Sequence, residues 1–183
     1  MYQPAEYHQS VMAAEGIYQL HQIIFSSFLH CLFVLFPGKQ TAKEITIDLF
    51  DNYIAKDIYD VFISQFVYQE IEQTNNEEKK KKLFDVIDKY PLQPLLIDDI
   101  LPVDTLADLY IHEGIIPPKK KLDALHVACA VLYKIDYLVS WNYKHLANVN
   151  KEKRIISLNF IHNYLHPLRI ITPLELLDYG NNS

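Results

Sequence analysis

The chain has 183 residues, half of them hydrophobic and 22% charged, with four glycines and a formal net charge of −6. That composition suits one globular domain large enough to bury a full core, and it excludes a disordered, collagen-like or low-complexity chain. The negative balance provides no overall basic footprint for nucleic acid. A nucleic-acid partner must therefore be argued locally, for instance from a divalent ion on carboxylates that reverses the field at one site.

Cys31 and Cys129 are the only cysteines. Two are too few for a disulfide framework, and no Cys/His spacing suggests zinc. Cys129 lies in an apolar helical pattern and reads as a small core residue, and a cytoplasmic location is expected. The first forty residues contain no Asp, and their only acids are Glu6 and Glu15. Within them Ile23–Phe36 is the most apolar run in the chain, yet it is too short for a standard membrane span and His30 interrupts it. No Lys or Arg precedes Lys39, which argues against a secretory leader. The run is expected to be buried core, with no membrane association. Residues 1–40 are thus a divergent segment, able to supply a first strand and helix, ahead of a domain over 41–183.

After the Pro37-Gly38 turn the pattern becomes regular. Thr41–Lys56 has helical spacing, with Ile45, Leu49 and Ile54 on one side. Val61–Ser64 is a short apolar strand, followed at once by a helix carrying Phe66, Val67, Tyr68, Glu70 and Ile71. EEKKKKLFDVIDKY is an exposed, charged helix closed by Tyr90-Pro91. Leu95–Asp98 is the next strand, and a helix over Val103–Glu113 ends at Gly114. Pro117-Pro118 forms a rigid link. Leu122–Tyr133 is a helix with Leu122, Leu125, Cys129 and Leu132 as its apolar stripe. Tyr137–Ser140 and Arg169–Ile171 are strands, and TPLEL opens a last helix with Thr172 as N-cap, Pro173 at N1 and Glu175 at N3. Short apolar strands alternating with helices predict an α/β fold: a three-layer sandwich with a mostly parallel central sheet and helices on both faces.

In such sheets ligands collect outside the carboxyl ends of the strands. Glu70 on the helix after VFIS, Asp123 at the start of LDALHVACA, and Asn142 directly after YLVSW meet that criterion, with His126 one turn along from Asp123. Carboxylates from separate elements suit Mg²⁺ or Mn²⁺, which prefer hard oxygen ligands and keep several waters. Each residue also has an ordinary reading. Glu70 suits a solvated helix face, Asp123 the dipole at a helix start, Asn142 an N-cap and His126 a satisfied core position. Trp141 fits a core or rim aromatic. Lys79–Lys82 and Lys119–Lys121 fit solvated surface, or the track of an RNA backbone.

The stretch KLDALHVACAVLYKIDYLVSWNYKHLANVN resembles the PIN-domain pattern, in which an Asp-Ala-Leu-His helix precedes a strand ending in Trp-Asn or Trp-Asp. VFISQFVYQEIEQ is similar to that family's earlier strand–helix unit, whose glutamate matches Glu70. LADLYIHEGIIPPK and IITPLELL also fit, so the resemblance covers roughly Thr41–Leu177. It implies a VapC-like, Mg²⁺- or Mn²⁺-dependent endoribonuclease acting on single-stranded RNA. The family's biology adds a toxin–antitoxin pair, with a cognate antitoxin as partner, and a homodimer. Transferred by position, Glu70 and Asp123 are the metal ligands and Asn142 takes the later acidic position. His126, Ser64 and His145 are the substrate-contact candidates. His145 and Asp136 also match the pattern, at a helix start and a strand start.

One departure stands at the front. The family's first strand ends in aspartate, but the corresponding region, Gly16–Phe36, holds none. Asp48 in ITIDLF imitates a strand ending, yet its segment reads better as helix. The alternative function is accordingly a catalytically impaired PIN fold that binds RNA or protein.

Overall fold

The computed structural model describes residues 21–25, 40–142, 146 and 148–180. Its sheet has five strands, β1 (Gln22–Phe25), β2 (Asp60–Ser64), β3 (Leu92–Leu95), β4 (Tyr137–Val139) and β5 (Arg169–Ile171). Their order is β3-β2-β1-β4-β5, and every neighbouring pair is parallel. Parallel neighbours need crossover connections, which here are helical. The helices are α1 (Gln40–Asp48, continuing as a π-helical stretch Leu49–Ile54), α2 (Gln65–Glu72), α3 (Glu77–Lys89) and α4 (Ile100–His112). They are followed by α5 (Lys121–Leu132, preceded by a 3₁₀ turn Pro118–Lys120), α6 (Val149–Ile161) and α7 (Pro173–Gly180). This is the expected α/β sandwich. No helix among the described residues is long and apolar enough to cross a membrane.

Side chains alternate across each strand, so the sheet feeds two cores. The register sets Ile24 beside Leu138 and Leu138 beside Ile170, and these three pack with Leu106, Tyr110, Val127 and Val131 of α4 and α5. On the opposite face Ile23, Phe25, Val61, Ile63, Val139 and Ile171 pack against Leu49, Phe50, Ile54, Leu83 and Leu176. A central strand buried on both faces reads as an unbroken apolar run, which accounts for Ile23-Ile24-Phe25. The remainder of the apolar run, to Phe36, lies outside the described residues. Asp136 fixes the start of β1: its carboxylate accepts from the Gln22 N–H at 2.9 Å, and its own N–H donates to the Gln22 carbonyl at 3.1 Å. The Asp136 carbonyl also accepts from the Arg169 N–H at 2.9 Å, tying in β5.

The sheet's edges are finished differently. β3 carries Pro94, which has no N–H to offer a further strand. At β5, Glu152 of α6 accepts from the Ile170 N–H at 3.1 Å and from Arg169 Nε at 2.9 Å. Helix ends are capped by Asn76, Asp99 and Asn148 side chains. The capping box at α7 forms as expected, with the Glu175 N–H donating to Thr172 Oγ1 at 3.2 Å and the Thr172 N–H to Glu175 Oε2 at 2.8 Å. Gly114 ends α4 with a φ of 62°, a left-handed conformation that favours glycine.

Three sequence expectations change. The strand expected at Leu95–Asp98 lies three residues earlier. β2 ends at Ser64, whose partner is Leu95, and Asp99 beyond it caps α4. The one-sided stripe expected for α5 is wider: Asp123–Val131 are all buried, so the helix is enclosed on every side. Finally, α6 had no counterpart among the expected elements. Its inward positions include Glu152 and Asn159, while Ile156, Phe160 and Ile161 face outward, which inverts the usual pattern.

Burial pushes the Cys129 thiol and the Tyr59 hydroxyl each up to about 12, and raises Tyr110 as well. A folded-state pKa above the unfolded value gives stability that is present below the unfolded pKa and lost as pH rises through the folded one. Urea denaturation from pH 7 to 11 is therefore expected to show stability falling from about pH 8.5, the unfolded thiol value, and more steeply above about 10, where unfolded tyrosine ionises. Cys129→Ala is expected to shift the onset toward the tyrosine range; an unchanged onset would contradict the assignment to Cys129.

Candidate active site

The order β3-β2-β1-β4-β5 reverses at β1, and the carboxyl ends of the strands beside such a reversal are where doubly wound sheets bind ligands. Three polar segments face that end of the sheet. β2 runs directly into α2 at Ser64, the α2 helix carries Glu70, and the α5 helix starts with Asp123 and continues to His126.

Glu70 is 8% exposed, Asp123 5% and His126 not at all. Carboxylates are almost never buried without partners, so a solvated face does not account for Glu70. Around Asp123 the partners are clear. Asn142 Nδ2 donates to Asp123 Oδ2 at 3.3 Å, and Lys120 Nζ lies 4.0 Å from the same oxygen. Asn142 is itself held, its N–H donating to the buried Ser140 Oγ at 3.0 Å. The nitrogen of its amide thus faces Asp123, and that contact orients the carboxylate. Lys151, in the first turn of α6, has its ammonium pKa lowered by burial, with attraction from Asp123 partly opposing the shift. Two lysines therefore flank one buried aspartate.

Around Glu70 the partners are missing. His126 Nε2 lies 3.8 Å from Glu70 Oε1, too long for a hydrogen bond. Glu70 Oε2, both His126 ring nitrogens and Ser64 Oγ are buried with no hydrogen-bond partner among the described residues. Ser64 occupies the N-cap position of α2 but makes no side-chain cap bond. Phe66 holds the His126 ring edge-on, with centroids 5.9 Å apart. Buried polar atoms are nearly always satisfied, so four orphans in neighbouring elements mark a place where something else supplies the partner.

The donors suit Mg²⁺ or Mn²⁺ in kind. Such ions are commonly held by one or two carboxylates together with waters and substrate phosphates, and Glu70 offers an oxygen with no competing bond among the described residues. Among the described residues no group of three or more His, Cys, Asp or Glu side chains could hold a metal. Any ion here would thus rest on a small protein donor set.

The remaining candidates fall elsewhere. His145 lies outside the described residues. Asp48 ends α1, exposed, and accepts from Asn52 Nδ2 at 2.7 Å, so it is not a strand-end acid. Asp136 fixes the opposite end of the sheet, as a strand-start role requires. Trp141 is buried, its Nε1–H donating to Thr46 Oγ1 at 3.0 Å and so tying α1 to the end of β4. The lysine runs divide: Lys80 and Lys82 pair with Glu72, Glu77 and Glu78 on the surface, Lys121 pairs with Asp104 and Asp108, and only Lys120 of that run turns to Asp123. Sequence reasoning missed Lys151, because its helix was not foreseen. The one signal for that helix is Asn148, a capping residue ahead of a long run without Gly or Pro.

No family model matches the chain, and no curated protein matches it. What the site can do follows from its own chemistry.

Glu70 is a buried carboxylate without a full set of partners, an arrangement that favours function over stability. In a chelator, Glu70→Gln is expected to raise the melting temperature by roughly 2–4 °C, the equivalent of about 1 kcal/mol for a chain of this size. A fall in melting temperature would show instead that the Glu70–His126 pair stabilises the fold.

Proposed function

We propose that the chain is a PIN-type endoribonuclease that cleaves single-stranded RNA with Mg²⁺ or Mn²⁺, acting as the toxin of a toxin–antitoxin pair. The observation that carries this reading is the pair of buried carboxylates, Glu70 and Asp123. They come from separate helices at the carboxyl end of an all-parallel sheet, and one oxygen of Glu70 has no hydrogen-bond partner among the described residues. The resemblance of the Asp123–His126 and Trp141-Asn142 segments to the PIN pattern supplies the reaction class.

Glu70 and Asp123 would hold the ion, which when bound activates a water and offsets charge at the phosphodiester. Asn142 orients Asp123 through its amide. Lys120 and Lys151 bring positive charge near Asp123 in a chain of net negative charge, which supports an anionic substrate. A cognate antitoxin and a homodimer belong to the same proposal.

A second reading has its own support. The candidate site has two buried carboxylates among the described residues, and the segment expected to supply a first-strand acid, Gly16–Phe36, contains no Asp; directly after β1 the sequence has Ser26. A chain with a weakened ion site would bind RNA or a protein partner without cutting.

A cleavage assay on unstructured RNA with increasing Mn²⁺ separates the two. The nuclease reading expects cleavage that EDTA stops. It also expects Asp123→Asn and Glu70→Gln each to lose at least about 100-fold in rate, as loss of a charge-stabilising group in a nuclease site does, with both variants still folded. Ser26→Asp is expected to increase the rate by supplying a further acid after β1. RNA binding without cleavage in both the natural chain and Ser26→Asp would favour the binding module.

A further inference from the structure

The orphaned atoms around Glu70 have a consequence for which ion the site takes; this inference rests on the nuclease reading and sharpens it. His126 is fully enclosed, both its ring nitrogens lack hydrogen-bond partners among the described residues, and Nε2 lies 3.8 Å from Glu70 Oε1. A buried imidazole ordinarily fixes its tautomer by donating from one nitrogen and accepting at the other. Here neither bond is made among the described residues. The facing carboxylate likewise keeps Oε2 unpartnered. An acceptor nitrogen and a carboxylate oxygen that face each other beyond hydrogen-bond range are placed as two ligands to one cation. An ion about 2.1 Å from each atom spans up to ~4.2 Å, so 3.8 Å lies within its reach. A cation there would also offset the burial of the Glu70 charge, which is otherwise unfavourable.

We infer that Glu70 and His126 are the direct ligands of this divalent cation, with Asp123 acting on it through bound water, and that the imidazole makes the site select Mn²⁺, or another ion that accepts nitrogen ligands, over Mg²⁺. The physical reason is ligand character: imidazole suits the later first-row ions, whereas Mg²⁺ is held by oxygen. Phe66 against the ring keeps the imidazole from rotating away, so its nitrogen stays aimed at Glu70.

The test uses the full chain with Mn²⁺ alone, and no RNA. Pulsed electron paramagnetic resonance of the Mn²⁺-loaded protein is expected to show nitrogen modulation from a coordinated imidazole. His126→Gln is expected to abolish that modulation and to weaken Mn²⁺ binding by at least about 10-fold. Its Mg²⁺ affinity, measured by competition, should stay within about twofold. Because a buried histidine variant can fail to fold, the natural chain is also titrated with Zn²⁺ while its histidine ring nitrogens are observed by NMR. The Nε2 resonance of His126 is expected to shift on binding. Mn²⁺ that binds without nitrogen modulation, or a His126 resonance unmoved by Zn²⁺, overturns the inference and leaves the nuclease reading standing. A chain that binds no Mn²⁺ overturns both.

Discussion

Everything in this fold is hung on four residues. β1 pairs with β2 on one side and β4 on the other, and without it the sheet separates into two two-stranded ribbons, neither of which is stable alone. Ile23, Ile24 and Phe25 are wholly buried, each side chain contributing about 1.5–3 kcal/mol by leaving water. Their alternation also decides which helices belong to which layer, since one face of β1 meets α5 and the other meets the π-helical stretch after α1. Asp136 sets the register of this strand by bonding to both the N–H and the carbonyl of Gln22.

The same strand creates the site. Because β2 lies to one side of β1 and β4 to the other, the strand order changes direction at β1, and doubly wound sheets bind ligands beside such a change. Polar groups there are distributed unevenly. Asp123 sits in a web of contacts from Asn142, Lys120 and Lys151, whereas Glu70 and His126 face one another without completing a bond. The first arrangement holds a carboxylate in one orientation. The second leaves buried polar atoms that no other described residue satisfies.

Much of this was legible in the sequence where local pattern and tertiary environment agree. The strands β2, β4 and β5 are short apolar runs between turn signals. The α7 helix announces itself by Thr172, Pro173 and Glu175. Pattern and environment part company at β3, where Pro94 disguises an edge strand and the apolar residues after it only approach a cap. They part again at α6, whose buried positions include a glutamate serving β5 and an asparagine that accepts from Tyr110 at 2.6 Å. Periodicity registers hydrophobicity, so a helix that turns hydrogen-bonding groups inward escapes it. At the site, residue identity and spacing led to Glu70, Asp123, His126 and Asn142. Their burial and the direction of the Asn142 amide did not follow from spacing, because both depend on which helix lies opposite. The contribution of Lys151 was hidden with its helix.

The two finished edges bear on how this molecule meets others. Pro94 removes a donor from one margin of the sheet, and Glu152 engages the outward N–H of Ile170 at the other. Exposed margins are where sheets of separate molecules join, and proteins that avoid such joining blunt them with proline or charge. Both margins of the described sheet are thus partly blunted against pairing with a strand of another chain. Association with a second molecule is thereby directed to helical surfaces, and among these α6 turns Ile156, Phe160 and Ile161 to solvent. The glutamate that concealed α6 from pattern reading thus also guards one margin of the sheet.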